Sequence, residues 1–274
     1  MNPLFELAAA AIDFIARLMR RRSSRNESLP FSPAAATGEV PIPATSSWHN
    51  RFGGRAWRYD GAGVYTRGHG EDHRPWRTAG APVTCRAILE RYGAIILWAA
   101  EKHGVNPALI LMTIATETAA TRAHGFTGPS TFRWEAHVLN RDVTQAFRGT
   151  YSAGPMQILA TTARDLIATR GGEYALGHAP FATAPALRER PAAAPTGLPL
   201  YDPRTNIELG TAVIRRQLQL TGDDPVLVAA VYNAGGIYES SANPWRMRSH
   251  GNHLDRAARW YGDACVALRE AGTV

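Results

Sequence analysis

Glu117 is the residue whose position in this sequence most clearly indicates chemistry. It follows nine residues with hardly any polarity and lies in the later half of a helix that we expect to be buried. Burial disfavours the charged form of a carboxyl group, and the negative end of a helix dipole acts in the same direction. Both effects raise the pKa toward the range that a general acid needs, although this feature alone also fits a helix-end Glu that points into solvent.

Four short stretches of the sequence carry motif-like residues in a definite order. They are TETAATRAHGF at 116–126, SAGPMQIL at 152–159, NIELGTAVIRRQL at 206–218 and VAAVYNAGG at 228–236. Together they resemble the soluble lytic transglycosylase and goose-type lysozyme families. The stretch FRWEAHV at 132–138 is also similar to the Phe-Glu-x-His segment of phage-type N-acetylmuramidases.

The resemblance implies a lysozyme-like helical domain that cleaves the β-1,4 bond between N-acetylmuramic acid and N-acetylglucosamine in peptidoglycan. Glu117 matches the catalytic acid of these families, and Thr118 stands where a Ser is usual. The substrate-binding residues that the resemblance implies lie beside the acid, in a turn that lines the sugar cleft and in a Tyr-Asn corner: Thr118, Gly154, Met156, Gln157, Tyr232 and Asn233. In the families, the Tyr hydroxyl and the Asn amide of this corner face the Glu and the sugar.

A second carboxylate would distinguish two ways of breaking this bond. An inverting hydrolase places one roughly 6.5–9.5 Å from the acid to activate water, and the candidates are Glu135 and Asp142. A lytic transglycosylase needs only Glu117, which returns as the base while the 6-hydroxyl of muramic acid attacks its own C1. We therefore expect 1,6-anhydro ends, with a hydrolytic muramidase that uses Glu135 as the alternative. A non-catalytic cell-wall-binding or assembly protein with this fold is a third interpretation.

The pattern along the chain divides it into four segments. Residues 1–23 form an amphipathic basic helix suited to a membrane surface or a partner, and residues 24–47, rich in Ser, Pro, Ala and Thr, form a linker. Residues 48–83 form an aromatic and basic arm, either a glycan-binding element or a strap packed on the main domain. Residues 84–272 form the lysozyme-like transglycosylase domain, so the expected fold class is mainly α with an irregular N-terminal arm.

Helix signals are strong in the last of these segments. Gly104 ends a first helix, and Asn106 with Pro107 caps a second one that is apolar nearly all round. Asp202 and Asp224 are further caps. Later helices are predicted near 160–170, 203–219, 225–233 and 252–270. No strand alternation of any length occurs after residue 84.

The charge of the chain favours an anionic partner. With 30 Lys and Arg against 23 Asp and Glu, the 274 residues carry a formal net charge of +7 at pH 7. This charge suits peptidoglycan glycan strands, whose lactyl and peptide groups are carboxylates. No nucleic-acid-binding motif accompanies the basic segment at 243–262, so we expect no nucleic acid partner and interpret that segment as a solvated helix face.

Cysteine and histidine spacing predicts neither a cofactor nor a metal. Cys85 and Cys265 lack CxxC spacing and are expected to be buried thiols, and His250 with His253 lacks a third ligand. The protein is expected to act on the cell wall. Because the basic cluster follows the first apolar run, no signal peptide is apparent, and delivery by a phage holin, a virion or a secretion machine is expected for a phage-type lysin.

Overall fold

The computed structural model describes residues 45–68, 73–138, 149–170, 187 and 189–273. The predicted helix at 1–23, most of the linker at 24–47 and the candidate carboxylate Asp142 lie outside the described residues. All described residues belong to one compact unit, Glu39–Val274.

Helices account for about half of the described residues and strands are few and short, which confirms the mainly α fold class; six of the helices are α-helices. In chain order they are α1 (Val83–His103), α2 (Pro107–Thr118), α3 (Ala160–Arg170), α4 (Pro203–Thr221), α5 (Pro225–Ala234) and α6 (His253–Glu270). Their starts and ends agree closely with the sequence signals, except at the end of α2. There the α-helix stops at Thr118, and a 3-10 helix, Ala119–His124, continues the chain.

Side-chain caps and one glycine set the helix ends. Asn106 Oδ1 accepts a hydrogen bond from the N–H of Ala108 at 2.9 Å, and Asp202 and Asp224 cap α4 and α5 in the same manner. Gly104 ends α1 with a φ of 59°, a left-handed conformation that a glycine adopts at little cost. These ends were predictable because each depends on residues within one turn of the chain.

Helix α2 is the central element of the fold. Every one of its residues except Glu117 is buried. The helix packs mainly against α6 and α1, and it also contacts α4 and α5. The prediction of a helix that is apolar nearly all round is therefore confirmed, and the end of α2 carries a carboxyl group into the interior of the protein.

The aromatic and basic arm packs on the helices as a strap. Its strands β1 (Trp57–Asp60) and β2 (Gly63–Thr66) pair as an antiparallel hairpin. Trp57 is fully buried, and its indole N–H donates to Asp224 Oδ2 at 2.9 Å. Arg77 pairs with the buried carboxylate of Asp263 at 3.2 Å. Since these partners belong to the start of α5 and to α6, the arm is part of the same core as the helices.

Residues that lie between α2 and α3 in the chain form a small antiparallel sheet. The prediction of no strand after residue 84 is therefore wrong. The sheet has the order β3-β4-β5, with strands at Arg133–Glu135, Thr150–Ala153 and Ile158–Leu159. Strands of two to four residues are too short to show an alternating pattern. All four residues of β4 are buried, so neither face of this strand is exposed to solvent.

The two cysteines are buried free thiols, as expected. Burial raises the pKa of both Cys85 and Cys265, which keeps the thiols protonated and unreactive. None of the helices in the described ranges combines the length and the apolar character that crossing a bilayer requires.

Candidate active site

The carboxyl group of Glu117 lies at the C-terminal end of α2 and is largely enclosed by protein. Its side chain is 12% exposed. Burial raises its pKa from 4.5 to about 7, while the positive charges of Arg133 and Arg256 lower it and the negative charge of Glu135 raises it further. Because desolvation outweighs the two arginines, Glu117 is a carboxylic acid that titrates near neutral pH.

His253, the first residue of α6, faces this carboxyl group. Its Nε2 lies 3.9 Å from Glu117 Oε1, and its side chain is 7% exposed. Burial and the positive charge of Arg256 lower the pKa of His253 to about 4, against the effect of a hydrogen bond to the backbone of Ala229. The imidazole is therefore uncharged at neutral pH, and the contact is not an ion pair.

Tyr232 lies on α5 at the same site. Its hydroxyl donates a hydrogen bond to the backbone carbonyl of Met156 at 2.9 Å. Burial and the charge of Glu117 raise the pKa of this phenol well above its usual value, so the hydroxyl stays protonated. The hydroxyl of Tyr232 is thus bonded to the backbone of the turn at residues 154–157.

The turn at residues 154–157, which we call the glycan turn, is held by one buried side chain from α4. Asn206 Oδ1 accepts from the N–H of Met156 at 2.7 Å, and Asn206 Nδ2 donates to the carbonyls of Ala153 and Leu200 at 2.8 and 3.0 Å. Gly154 has a φ of 78°, and a Cβ there would lie 2.2 Å from the Leu200 carbonyl oxygen. A glycine is therefore required for both the backbone conformation and the space.

Met156 fixes the same turn from its other side. Its side chain is fully buried and lies against Gly210 of α4, where an added Cβ would be 2.3 Å from the Met156 sulfur. The Asn and the Gly of the NIELG stretch thus have separate tasks. Asn206 bonds the backbone of the turn, and Gly210 leaves room for its methionine.

Gln157 and Glu135 meet at the hydroxyl of Ser152 on β4. Ser152 Oγ lies 3.0 Å from Glu135 Oε1 and 3.2 Å from Gln157 Oε1. Gln157 Nε2 donates to the carbonyl of Gly154 at 3.0 Å, and it also donates to the carbonyl of Thr131. The amide of Gln157 is therefore engaged with protein on both ends and braces the glycan turn against the small sheet.

Glu135, the candidate second carboxylate, acts electrostatically on Glu117. Its side chain is 13% exposed, and Arg133 Nη1 and His137 Nδ1 lie 3.8 and 3.7 Å from its two oxygens. Its charge raises the pKa of Glu117, so the two carboxyl groups interact electrostatically.

Thr118 and Asn233, two of the predicted substrate-binding residues, form hydrogen bonds with backbone groups of the protein. Thr118 is fully buried, and its hydroxyl lies 2.9 Å from the carbonyl of Ile114 and 3.1 Å from that of Pro155. It therefore joins the end of α2 to the glycan turn instead of facing a ligand. Asn233 is exposed, and its Oδ1 accepts from the backbone N–H of His250 at 2.9 Å.

Sequence reasoning missed three charged or titratable groups around Glu117. Arg133, His253 and Arg256 were not assigned to the site, and the segment with the last two was interpreted as a solvated helix face. That interpretation is wrong for His253, which is buried. The spacing of polar residues in this segment did not indicate a site, because His253 and Arg256 are related to Glu117 only by the packing of α6 on α2.

The described residues contain no group of three or more His, Cys, Asp or Glu side chains that could hold a metal ion. In comparisons with known proteins, no protein-family model and no curated protein matches the chain.

Proposed function

We propose that the protein is a peptidoglycan-cleaving glycosidase with a lysozyme-like fold, acting on the β-1,4 bond between N-acetylmuramic acid and N-acetylglucosamine. We further propose that it is a lytic transglycosylase that leaves 1,6-anhydro ends. The observation that carries the proposal is the carboxyl group of Glu117, buried beside the glycan turn with a pKa of about 7. A glycosidase acid must be protonated before the reaction and ionised after it, which a pKa near the working pH permits.

The arrangement around Glu117 supports both halves of such a reaction. In the first half, Glu117 gives its proton to the leaving glycosidic oxygen as the bond to C1 of muramic acid breaks and positive charge develops on that sugar. In the second half, the ionised Glu117 takes the proton of the 6-hydroxyl as this oxygen bonds to C1. Arg133 and Arg256 stabilise the carboxylate between the two steps, because both favour its charged form.

The order and packing of the motif residues support the proposed fold. The glycan turn is joined to α2 by Thr118, to α4 by Asn206 and to α5 by Tyr232. All four stretches that carry the resemblance therefore converge on one place, next to the candidate acid. Residues scattered by chance through a helical protein would have no reason to meet in this way.

A hydrolytic muramidase is the second candidate function, and a specific observation favours it. Glu135 is only 13% exposed, bonds Ser152 and lies close enough to influence Glu117. In that case Glu135 would activate a water molecule on the opposite face of the sugar. We retain the transglycosylase as the first candidate because Arg133 and His137 flank Glu135 and the mechanism with one carboxylate needs nothing from it.

Digestion of purified cell walls tests the proposal. Wild-type protein should release soluble muropeptides, and Glu117→Gln should abolish release while the variant keeps its fold, because the amide has no acidic proton to give. Glu90→Gln, at an exposed position of α1, is the matched control and should digest walls normally. Activity in Glu117→Gln above about a hundredth of wild type would place the acid elsewhere. Binding to walls without release by the wild type would favour the non-catalytic alternative.

The proposed partner is the glycan strand itself, and the proposed site of action is the cell wall. The formal net charge of +7 supports attraction to a polymer that carries lactyl and peptide carboxylates. Delivery by a phage holin, a virion or a secretion machine remains part of this proposal.

A further inference from the structure

A cleft between the arm and α6 lies outside the candidate active site. It has a volume of about 280 Å³ and is lined by five residues, of which three are arginines: Arg74, Pro75, Trp76, Arg77 and Arg259. None of the five belongs to the stretches that carry the family resemblance. The chemistry proposed for Glu117 therefore leaves this cleft unexplained.

Of the three arginines in the cleft, Arg77 has a carboxylate partner. Its Nε donates to Oδ1 of Asp263 at 3.2 Å, and Thr78 bonds the other oxygen of that carboxylate. The two terminal nitrogens of Arg77 take no part in this ion pair, and the side chain is 31% exposed. Among the described residues, no acidic side chain lies within ion-pair distance of Arg74 or Arg259, and both arginines are exposed.

The three carboxylates of α6 do not neutralise these two charges, because each has a partner of its own. They form ion pairs at 3.2, 3.2 and 2.8 Å in chain order: Asp255 with Arg55, Asp263 with Arg77 and Glu270 with Arg86. Within the described part of the chain, the cleft thus carries two positive charges that no ion pair offsets. A bound anion would supply the opposite charge.

Trp76 holds one wall of the cleft in place. Its indole N–H donates to Thr66 Oγ1 on β2 at 2.9 Å, and its backbone N–H donates to the carbonyl of Val64 at 2.7 Å. The guanidinium carbon of Arg259 lies 5.3 Å from the centre of the Trp76 ring, within the range of a cation–π contact. The charge of Arg259 is therefore held at the cleft before any ligand binds, which lowers the entropy lost on binding.

The shape and lining of the cleft favour a carboxylate attached to a small apolar group. The planar fork of N–H donors in a guanidinium matches the two oxygens of a carboxylate. Pro75 and the ring of Trp76 add apolar surface beside these donors. The volume lies just below the roughly 300–1,000 Å³ of small-molecule pockets, so the cleft suits the end of a chain. Inorganic phosphate has no apolar part and would leave that surface unused.

We propose that this cleft binds the carboxylate end of the peptides that are attached to the glycan strand. The inference rests on the proposed function, which brings the protein to a polymer whose peptides end in small residues with free carboxylates. Arg74 and Arg259 bind the carboxylate, and Arg77 adds its terminal nitrogens. Pro75 and Trp76 contact the apolar side chain of the last residue. The arm then has a second task besides packing on the helices, which is to hold the peptide part of the wall.

Binding of short peptides tests the inference without cleavage of any bond. One probe is an N-acetylated peptide that ends in D-Ala-D-Ala and whose only charge is its terminal carboxylate, and a second is the same peptide with a terminal amide. Inorganic phosphate is the third. The fourth is a glycan fragment freed of its peptides by an amidase, which keeps the lactyl carboxylates. Dissociation constants for the full chain are measured by calorimetry.

We expect the full chain to bind the free-acid peptide about tenfold more tightly than the amide, because the amide forms no hydrogen bond to a charged acceptor. Arg74→Gln and Arg259→Gln should each reduce this preference, and the double variant should remove it. Arg215→Gln makes the same change at an exposed position of α4 and should keep the preference. Arg77 is left unchanged, because its loss would leave the buried carboxylate of Asp263 without a counter-charge.

Three results would overturn the inference. The first is equal binding of the acid and the amide, and the second is a preference that survives the double substitution. The third is tighter arginine-dependent binding of phosphate or of the peptide-free glycan than of the peptide, which would assign the cleft to another anion.

Wall digestion by the wild type is scored separately from peptide binding. A wild type that digests walls but shows no arginine-dependent binding of the peptide would refute this inference and leave the proposed function in place. A wild type that binds the peptide through the arginines but releases no muropeptides would have the opposite meaning. It would support the cleft and favour the non-catalytic alternative.

Discussion

Nε2 of His253 lies 3.9 Å from Oε1 of Glu117, yet the two side chains do not form an ion pair at neutral pH. Burial raises the pKa of the acid to about 7 and lowers that of the imidazole to about 4. The order of the two pKa values is thus reversed from that of free side chains, where the acid ionises first. Between about pH 4 and pH 7 the pair is therefore a neutral acid and a neutral imidazole, and Glu117 loses its proton as the pH passes 7.

The free energy of unfolding should depend on whether Glu117 is protonated. Its pKa is about 7 in the folded protein and 4.5 in the unfolded reference, so the folded state binds the proton more tightly. This contribution to stability is present below about pH 4.5 and is lost as the pH rises through 7. Glu117→Gln should therefore gain up to about 3 kcal/mol over the wild type between pH 5 and pH 8.

Urea unfolding at these two pH values measures the effect. Glu90→Gln, which removes an exposed carboxylate from α1, should show no such gain. A Glu117→Gln variant whose stability relative to wild type is the same at pH 5 and pH 8 would contradict the raised pKa.

His253 should give the opposite dependence on pH. Its pKa falls from 6.5 to about 4 on folding, so the stability that it provides is present above pH 6.5 and is lost as the pH falls through 4. We expect His253→Gln to lose less stability than the wild type between pH 7 and pH 4, by up to about 3 kcal/mol. Thermal unfolding at both pH values provides the measurement, and His73→Gln, at an exposed position, is the control.

The product distinguishes the two candidate reactions. If Glu117 acts alone, the released fragments carry 1,6-anhydro ends and Glu135→Gln costs little activity. If Glu135 positions water, the fragments carry reducing ends, each heavier by one water, and Glu135→Gln loses at least about 10²-fold in rate. Mass spectrometry of the muropeptides decides between them. Reducing ends together with a severe Glu135→Gln defect would replace the transglycosylase by a muramidase.

Replacing Gly210, which lies against Met156 of the glycan turn, by alanine should destabilise the protein. Gly210→Ala places a Cβ 2.3 Å from the sulfur of the fully buried Met156, so the turn must shift and both stability and wall digestion should fall. We expect a loss of about 1–3 kcal/mol in the free energy of unfolding. Gly93→Ala, in the middle of α1, meets only Leu89 at 4.0 Å and should be neutral or stabilising. Equal stability of the two variants would show that the turn yields easily.

The helices were predictable because their signals are local. Asn106, Asp202 and Asp224 each cap a helix within three residues of themselves, and Gly104 ends one by its own conformation. The burial of Glu117 was predictable for a related reason, since the run of apolar residues before it places α2 in the core. For both, the relevant neighbours are close in the chain.

The charges around the acid were not predictable, because they depend on how separate elements pack. Arg133 comes from a three-residue strand and Arg256 from the last helix, and neither has a spacing that relates it to Glu117. The sequence pattern also could not show that the hydroxyl of Thr118 lies within hydrogen-bond distance of two backbone carbonyls. The individual contacts of Gly154, Met156 and Gln157 likewise depend on the packing of α4 and of the small sheet on the turn.

The anchoring of the glycan turn by Asn206 has a consequence for the order in which the protein folds. Fifty residues separate Asn206 from Met156, so the bonds between them close a long loop, and loop closure of this kind slows folding. Helix α2, with Glu117, precedes the turn and α4 in the chain. The turn beside the acid can take its shape only once α4 has docked. A growing chain therefore carries Glu117 well before the residue that anchors the turn beside it has been synthesised.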